Sequence, residues 1–124
     1  MKPNSQDLPL VYSCSGCSSA AQMANYLAVK LDRLGEAEMS CIVGVGGNVK
    51  KLVKTATSGR KMIVIDGCPL TCSKACLSQH DLEPTLHFEL SKFQVKKKNH
   101  EDFDPQQADE ILEMIKKEIK NLSK

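Results

Sequence analysis

Six cysteines are the residues of this 124-residue chain whose type and spacing could do chemistry. They are Cys14, Cys17, Cys41, Cys68, Cys72 and Cys76. The first two form a C-x-x-C pair, and the fourth and fifth form a C-x-x-x-C pair. Thiolates at these spacings can reach one metal ion, and Zn²⁺ takes four tetrahedral ligands with Zn–S distances near ~2.3 Å. A zinc–thiolate site is therefore the first hypothesis, and the metal ion is the expected partner.

The surrounding composition indicates where such thiols would work. Six cysteines in 124 residues is less than a short disulfide scaffold carries. The N-terminus lacks the long apolar stretch of a secretory signal, and no apolar run approaches the ~20 residues of a membrane helix. We therefore expect a cytoplasmic protein with no membrane partner. In a reducing compartment, clustered cysteines indicate metal binding or catalysis rather than disulfides.

The charge balance argues against a polyelectrolyte partner. Lysine and arginine number 17 against 15 acidic residues, for a formal charge of +2, and aromatic residues make up 4%. A basic run at residues 96–98 is followed by acidic residues and reads as a solvated loop. Nucleic-acid binding would favour clustered arginines and stacking aromatics, so no nucleic-acid partner is predicted. The sequence identifies no protein partner.

The elements that must position the cysteines follow a simple alternation. The predicted strands cover residues 8–13, 39–43, 61–65 and 85–90. A helix follows each strand, and the last, residues 105–123, has Asp104 as its cap. Residues 1–7 are predicted as a flexible N-terminus and 92–104 as a polar loop. This βα order predicts one three-layer αβα domain over residues 1–124, of class α/β, with a mostly parallel four-stranded sheet and helices on both faces.

This fold would bring the cysteines together. Ligands of open α/β sheets bind beyond the carboxyl ends of the strands. Cysteines follow the first and third strands, and one lies at the end of the second or within it. Pro69 is predicted at the first helical position after the third strand, and helix N-termini favour the thiolate form. The predicted metal ligands are Cys14, Cys17, Cys68 and Cys72, with Cys41 next and Asp66 as an extra member.

The blocks that carry these residues resemble a known family. Residues 12–18 (YSCSGCS), 39–41 (MSC), 44–47 (GVGG) and 65–72 (IDGCPLTC) are similar to the DGC-domain family, named after its Asp-Gly-Cys triplet. The resemblance covers residues 11–82 approximately, and the Asp-Gly-Cys-Pro-x-x-Cys block is its most specific part. It implies a zinc-binding protein with ligands at Cys14, Cys17, Cys41, Cys68 and Cys72. It implies nothing for Cys76, which is either a fifth thiol or a core residue.

Other functions compete with zinc binding as explanations of these cysteines. Cys14 and Cys17 also have the spacing of a thiol–disulfide redox or sulfur-transfer pair, and a Cys₄ set also holds an iron–sulfur cluster. The C-x₅-R phosphatase loop is excluded, because the sixth residues after these two cysteines are Ala20 and Met23. No hydrolase or phosphatase signature is present, so whether the chain is an enzyme stays open.

Two further features are given the plainer interpretation. The glycine-rich residues 44–47 could cradle an anion, but they lack G-x-G-x-x-G and Walker spacing, so a tight strand-to-helix turn is the prediction. The histidines, His80, His87 and His100, all follow the cysteine blocks and are not favoured as metal ligands.

Overall fold

Four parallel strands form the sheet of this computed structural model, which describes residues 8–122. Their order across the sheet is β2-β1-β3-β4. The predicted α/β class, with a parallel four-stranded sheet and helices on both faces, is confirmed. In chain order the elements are β1 Leu10–Ser13, α1 Ser19–Arg33, β2 Glu38–Met39, α2 Ile42–Gly46, α3 Lys50–Ala56, β3 Met62–Asp66, α4 Cys72–Ser78, β4 Leu86–Glu89, a 3₁₀ helix Leu90–Phe93, and α5 Pro105–Leu122.

The two central strands, β1 and β3, are buried along their whole length. Their side chains alternate between two apolar clusters, because successive residues of a strand point to opposite faces. Val11 and Ile63 pack with α1 and α5 on one face. Leu10 and Val64 pack on the other face, against residues of α2, α3 and α4. A sheet buried on both faces leaves its carboxyl edge as the place where polar and reactive side chains can gather.

Helix α1 covers the first face and begins beside that edge. The Ser18 side chain caps it by accepting a hydrogen bond from the Ala21 amide at 3.1 Å. Its apolar stripe, including Met23, Leu27 and Leu31, is fully buried. The cap and the stripe together fix the position of the first turn, which lies next to the C-x-x-C pair.

The second strand is shorter than predicted. The sequence indicated residues 39–43, whereas β2 contains only Glu38–Met39. The parallel ladder ends where the Ser40 amide donates to the Val11 carbonyl at 3.1 Å, and the chain then turns into α2. Gly44 lies inside that short helix, not in the predicted strand-to-helix turn. Its lack of a side chain leaves room for Leu52, with which a Cβ at this position would collide.

Helix α4 starts later than predicted. Pro69 lies in a turn, and α4 begins at Cys72, three residues further on. Thr71 precedes it with a left-handed backbone, φ 48°, and caps nothing with its side chain. The turn Pro69–Thr71 therefore separates Cys68 from the helix that carries Cys72.

The C-terminal part agrees closely with its pattern. Asp104 caps α5 by accepting from the Gln106 amide at 2.9 Å, as the sequence predicted. The Tyr26 hydroxyl of α1 donates to Asp109 at 2.7 Å, which joins the two helices on this face. The predicted flexible segment 1–7 lies outside the described residues. None of the helices in residues 8–122 combines the length and apolar character needed to cross a membrane.

Candidate functional site

The carboxyl edge of the sheet is where the cysteines gather. Cys14 and Cys68 follow the two central strands, which pair in register from Leu10↔Met62 to Ser13↔Ile65. The Cys14 amide extends this ladder by donating to the Ile65 carbonyl at 3.1 Å. Parallel pairing therefore places the two cysteine-bearing loops side by side, as the sequence predicted from the strand ends.

A backbone contact ties these two loops together. The Gly67 amide donates a hydrogen bond to the Cys14 Sγ at 3.2 Å. A Cβ at Gly67 would lie only 2.7 Å from the Ala20 carbonyl carbon and oxygen, in the first turn of α1. Glycine is therefore required by close backbone approach, and this gives a physical reason for the middle residue of the Asp-Gly-Cys triplet.

Cys14 is the thiol around which the others are arranged. Burial raises the pKa of the Cys14 thiol above its ordinary value, the Gly67 amide opposes this, and the negative charges of Asp66, Cys68 and Cys72 raise it further. The structure therefore places Cys14, Cys68 and Cys72, from three separate segments of the chain, at one edge of the sheet, near enough for their charges to influence the Cys14 thiol.

The remaining predicted ligands lie at the exposed rim of this edge. Cys17 is exposed in the turn directly before the Ser18 cap of α1, and Cys72 is exposed at the start of α4. Cys41 is also exposed and caps α2, its Sγ accepting from the Gly44 amide at 3.4 Å. Cys41 was predicted to lie within the second strand or at its end, whereas β2 ends two residues earlier, at Met39.

Cys76 lies one helical turn after Cys72 and packs against another helix. A Cβ at Gly46 of α2 would lie 2.8 Å from the Cys76 Sγ, so the thiol occupies the space left by that glycine. Burial, followed by the charges of Cys72 and Asp66, raises the pKa of the Cys76 thiol. These contacts give Cys76 a packing role between α2 and α4.

Asp66 does more than the sequence suggested. Its carboxylate is 1% exposed and accepts from the amides of Ser73 at 2.8 Å and Lys74 at 3.3 Å. It therefore caps α4 from a distance, in place of Thr71. Its Oδ2 also lies 2.9 Å from the Nε2 of His87 on β4.

The pairing of Asp66 with His87 was not predicted from the sequence, where His87 was considered only as a metal ligand and not favoured. The alternation of side chains along the strands could have predicted this pairing. His87 is the register partner of Val64, whose side chain lies on the same sheet face as that of Asp66, two residues further along β3. The strand order needed to use this signal became known only from the structure.

The donor set can be compared with what a metal ion needs. All six cysteines are free thiols, which are soft ligands suited to zinc or to an iron–sulfur cluster. In residues 8–122, however, no group of three or more His, Cys, Asp or Glu side chains stands arranged to hold a metal ion. The donor chemistry fits a thiolate metal site, while closing one would require the exposed thiols to reorient.

Comparison with known proteins gives two matches and one negative result. The family profile described as the DGC domain matches residues 10–115. The protein named "Anaerobic and virulence modulator AnvM" from Pseudomonas aeruginosa is 55% identical over 105 residues, covering 85% of this chain and 80% of that protein. No solved structure matches the chain.

Proposed function

Because this chain belongs to the DGC-domain family, we propose that it binds a metal ion, with Zn²⁺ the favoured ion, through cysteine thiolates at the carboxyl edge of its sheet. The observation that carries the proposal is the convergence of Cys14, Cys68 and Cys72 from two strand ends and a helix start. The exposed Cys17 is the proposed fourth ligand, and Cys41 is the alternative.

The charge at this edge supports a cationic ligand. The negative charges of Asp66, Cys68 and Cys72 raise the pKa of the Cys14 thiol, so ionising it creates repulsion. A divalent cation bound among the thiolates would remove that repulsion, and metal binding would release protons. The backbone holds Cys14 at its amide and at its sulfur. Cys17, before the cap of α1, and Cys72, at the first position of α4, are exposed, so their side chains can reorient without disturbing the core.

The proposed chemistry excludes one class of reaction. Four thiolates close the tetrahedral shell of zinc and leave no open position for a water molecule. The proposed site is therefore a binding site for metal and not a hydrolytic centre. It also requires reduced cysteines, which fits the expected cytoplasmic location.

Elemental analysis of anaerobically purified protein tests the proposal most directly. We expect stoichiometric metal, together with thiols that become titratable only after a chelator is added. Cys14→Ser, Cys68→Ser and Cys72→Ser should each lose the metal. Cys76→Ser is the matched control, because this thiol packs against Gly46, and it should retain the metal.

The result also separates the candidate metals. A colourless protein containing zinc supports the proposal as stated, whereas a visible absorption band with iron and sulfide would replace zinc by an iron–sulfur cluster. A metal-free preparation whose six thiols all react freely, and which takes up no added Zn²⁺, would overturn metal binding.

A thiol–disulfide role for Cys14 and Cys17 is the second candidate. The pair joins a half-buried thiol to an exposed one across the start of α1, so Cys17 would be the attacking thiol. The raised pKa of Cys14 makes that residue a poor nucleophile. A reversible disulfide between the two, reduced by thioredoxin-type reductants and absent in Cys17→Ser, would support this role. Unchanged redox behaviour in that variant would exclude it.

A further inference from the structure

A segment outside the cysteine blocks is fastened across the first turn of α1. Ser19, 3% exposed, makes three hydrogen bonds to it. Its amide donates to the Lys98 carbonyl at 2.8 Å, and its hydroxyl accepts from the Lys98 amide at 2.9 Å and donates to the Lys96 carbonyl at 3.3 Å. We call residues 96–98 the lysine strap. This run was predicted to be a solvated loop, whereas hydrogen bonds from Ser19 hold its backbone at Lys96 and Lys98.

The strap presents its middle side chain to the thiol edge. The Lys97 Nζ lies 3.8 Å from the Cys68 Sγ, within reach of an N–H···S hydrogen bond. Its neighbours, Lys96 and Lys98, instead line a small cavity that Asp102 and Asp104 also line. Within the strap, one lysine therefore lies near a sulfur, while the other two line a cavity together with Asp102 and Asp104.

We propose that the lysine strap is a built-in counter-charge for the thiol site, with Lys97 positioned to neutralise negative charge on Cys68 and on a metal ion held there. This inference rests on the proposed function, and Lys97 would act on the metal site through the Cys68 ligand. A zinc ion with four thiolates carries a net charge of −2, which a partly exposed site must compensate. The Lys97 ammonium beside the Cys68 ligand supplies part of that compensation. Ser19 determines where this lysine lies, because it holds the backbone on both sides of it.

Metal affinity provides the first test. Lys97→Met should lower the affinity for Zn²⁺ about two- to fivefold, the range expected of one exposed charge contact. Lys97→Arg should retain most of the affinity, and Lys96→Met is the matched control, which should match the wild type. Competition against a chromophoric chelator measures all four, and the difference should shrink at high salt because the charges are screened.

A second readout needs no metal. In the metal-free protein, the Cys68 peptide can be followed by mass spectrometry while it reacts with anionic iodoacetate or with neutral iodoacetamide. An ammonium beside the sulfur attracts the anionic reagent, so Lys97→Met should lower the ratio of the two rates about two- to fivefold. Lys96→Met should leave that ratio unchanged. A role of Lys97 in packing alone would not move it.

A double-mutant cycle tests the role of the strap. Ser19→Ala removes two of the three fastening hydrogen bonds without touching the lysine. It should reproduce much of the Lys97→Met effect in both readouts, and combining the two changes should add little. Full additivity would mean that Ser19 does not deliver the lysine.

The two proposals fail in different ways. If the wild type takes up no metal, the proposed function fails, and the alkylation ratio alone decides on Lys97. If the wild type binds zinc but the Lys97 and Lys96 variants behave alike in both readouts, the counter-charge is overturned while metal binding stands.

Discussion

Cys14 occupies the most constrained position of any thiol at this edge. It extends the β1–β3 ladder through its amide and receives a hydrogen bond from Gly67 at its sulfur. Burial is the largest cause of its raised pKa, so the metal-free folded chain favours the protonated thiol. A thiol that stays protonated is poorly suited to act as a free nucleophile, and a metal ion that binds it must displace its proton.

The raised pKa of Cys14 predicts how stability changes with pH. Below the ordinary thiol pKa of 9.0, the thiol is protonated in both the folded and unfolded chains, and its contribution to stability is fully present. As pH rises past this value, the unfolded chain ionises first, so the free energy of unfolding falls until the folded pKa is reached. Urea denaturation of metal-free, reduced protein between about pH 8 and about pH 10 measures this.

Cys14→Ser serves as the comparison for that measurement. Tyr12 and Cys76, whose pKa values are also raised by burial, remain in the variant, so its free energy of unfolding should still fall in part as pH rises. The difference in free energy of unfolding between the wild type and the variant should therefore become smaller as pH increases. A difference that stays constant or grows over this range would contradict the raised pKa of Cys14.

At the scale of elements, the site depends on how closely helix α1 approaches the loop after β3. Gly67 fills this contact with backbone alone, since a Cβ would meet Ala20 and Ala21 at 2.7–2.9 Å. Both neighbours are backbone atoms of a capped helix, which cannot yield as a flexible side chain would. The triplet glycine thus sets the spacing between α1 and the loop that carries Cys68.

Gly67→Ala should destabilise the protein by about 2–3 kcal/mol, because the added methyl group overpacks a contact between backbones. Gly16→Ala is the matched control. A Cβ there meets only Ala21 Cβ at an ordinary 3.6 Å, so the change should cost little. Chemical denaturation compares the two, and equal stability of the variants would show that the close approach at Gly67 is unimportant.

Asp66 links β3, α4 and β4 and so fixes the start of the helix that carries Cys72. Asp66→Ala should cost about 2–4 kcal/mol, because it leaves the amides of Ser73 and Lys74 without their acceptor. His87→Ala removes only the contact between His87 and Asp66 and should cost less stability, about 1 kcal/mol. If denaturation shows His87→Ala to be less stable than Asp66→Ala, then capping is not the main role of Asp66.

The sequence predicted the elements best where burial alone decides them. The apolar runs of β1 and β3 and the stripe of α1 identified the central layers, and Asp104 identified the start of α5. The second strand was overextended because Cys41 reads as an apolar strand residue, while in the structure it caps α2. Helix α2 was not predicted, because glycine disfavours helix formation. Its glycines are explained by tertiary packing, since Gly44 lies against Leu52 and Gly46 lies against Cys76.

The candidate site shows the same division between local and tertiary causes. Its location was predicted from the alternation of strands and helices, since both cysteine pairs follow strands whose carboxyl ends lie at one edge of the sheet. The contacts that fix it did not follow, because the cap of Asp66 spans seven residues and Ser19 meets the lysine strap 79 residues away at Lys98. No local pattern specifies partners at such separations.

At the scale of the whole molecule, metal binding and folding should be linked. An ion that binds only the folded chain stabilises it by about 2.7 kcal/mol at a hundredfold excess over its Kd. For a domain of this size we expect the Tm to rise by about 10 °C with Zn²⁺ and to fall again with a chelator. Calorimetry of reduced protein checks this, with Cys76→Ser retaining the shift and Cys68→Ser losing it. A Tm that ignores both zinc and chelator would argue against a site in the folded state.

The strand order has a consequence for how the chain folds. β1 lies at the centre of the sheet, yet its register partners on β3 are about 50 residues further along the chain, so the core cannot form from neighbouring segments. Closing that long loop must precede much of the gain from burial, which predicts slow folding compared with helical proteins of equal size. During that interval the cysteines of both strand ends are open to oxidation, and each incorrect disulfide would trap an unfinished sheet.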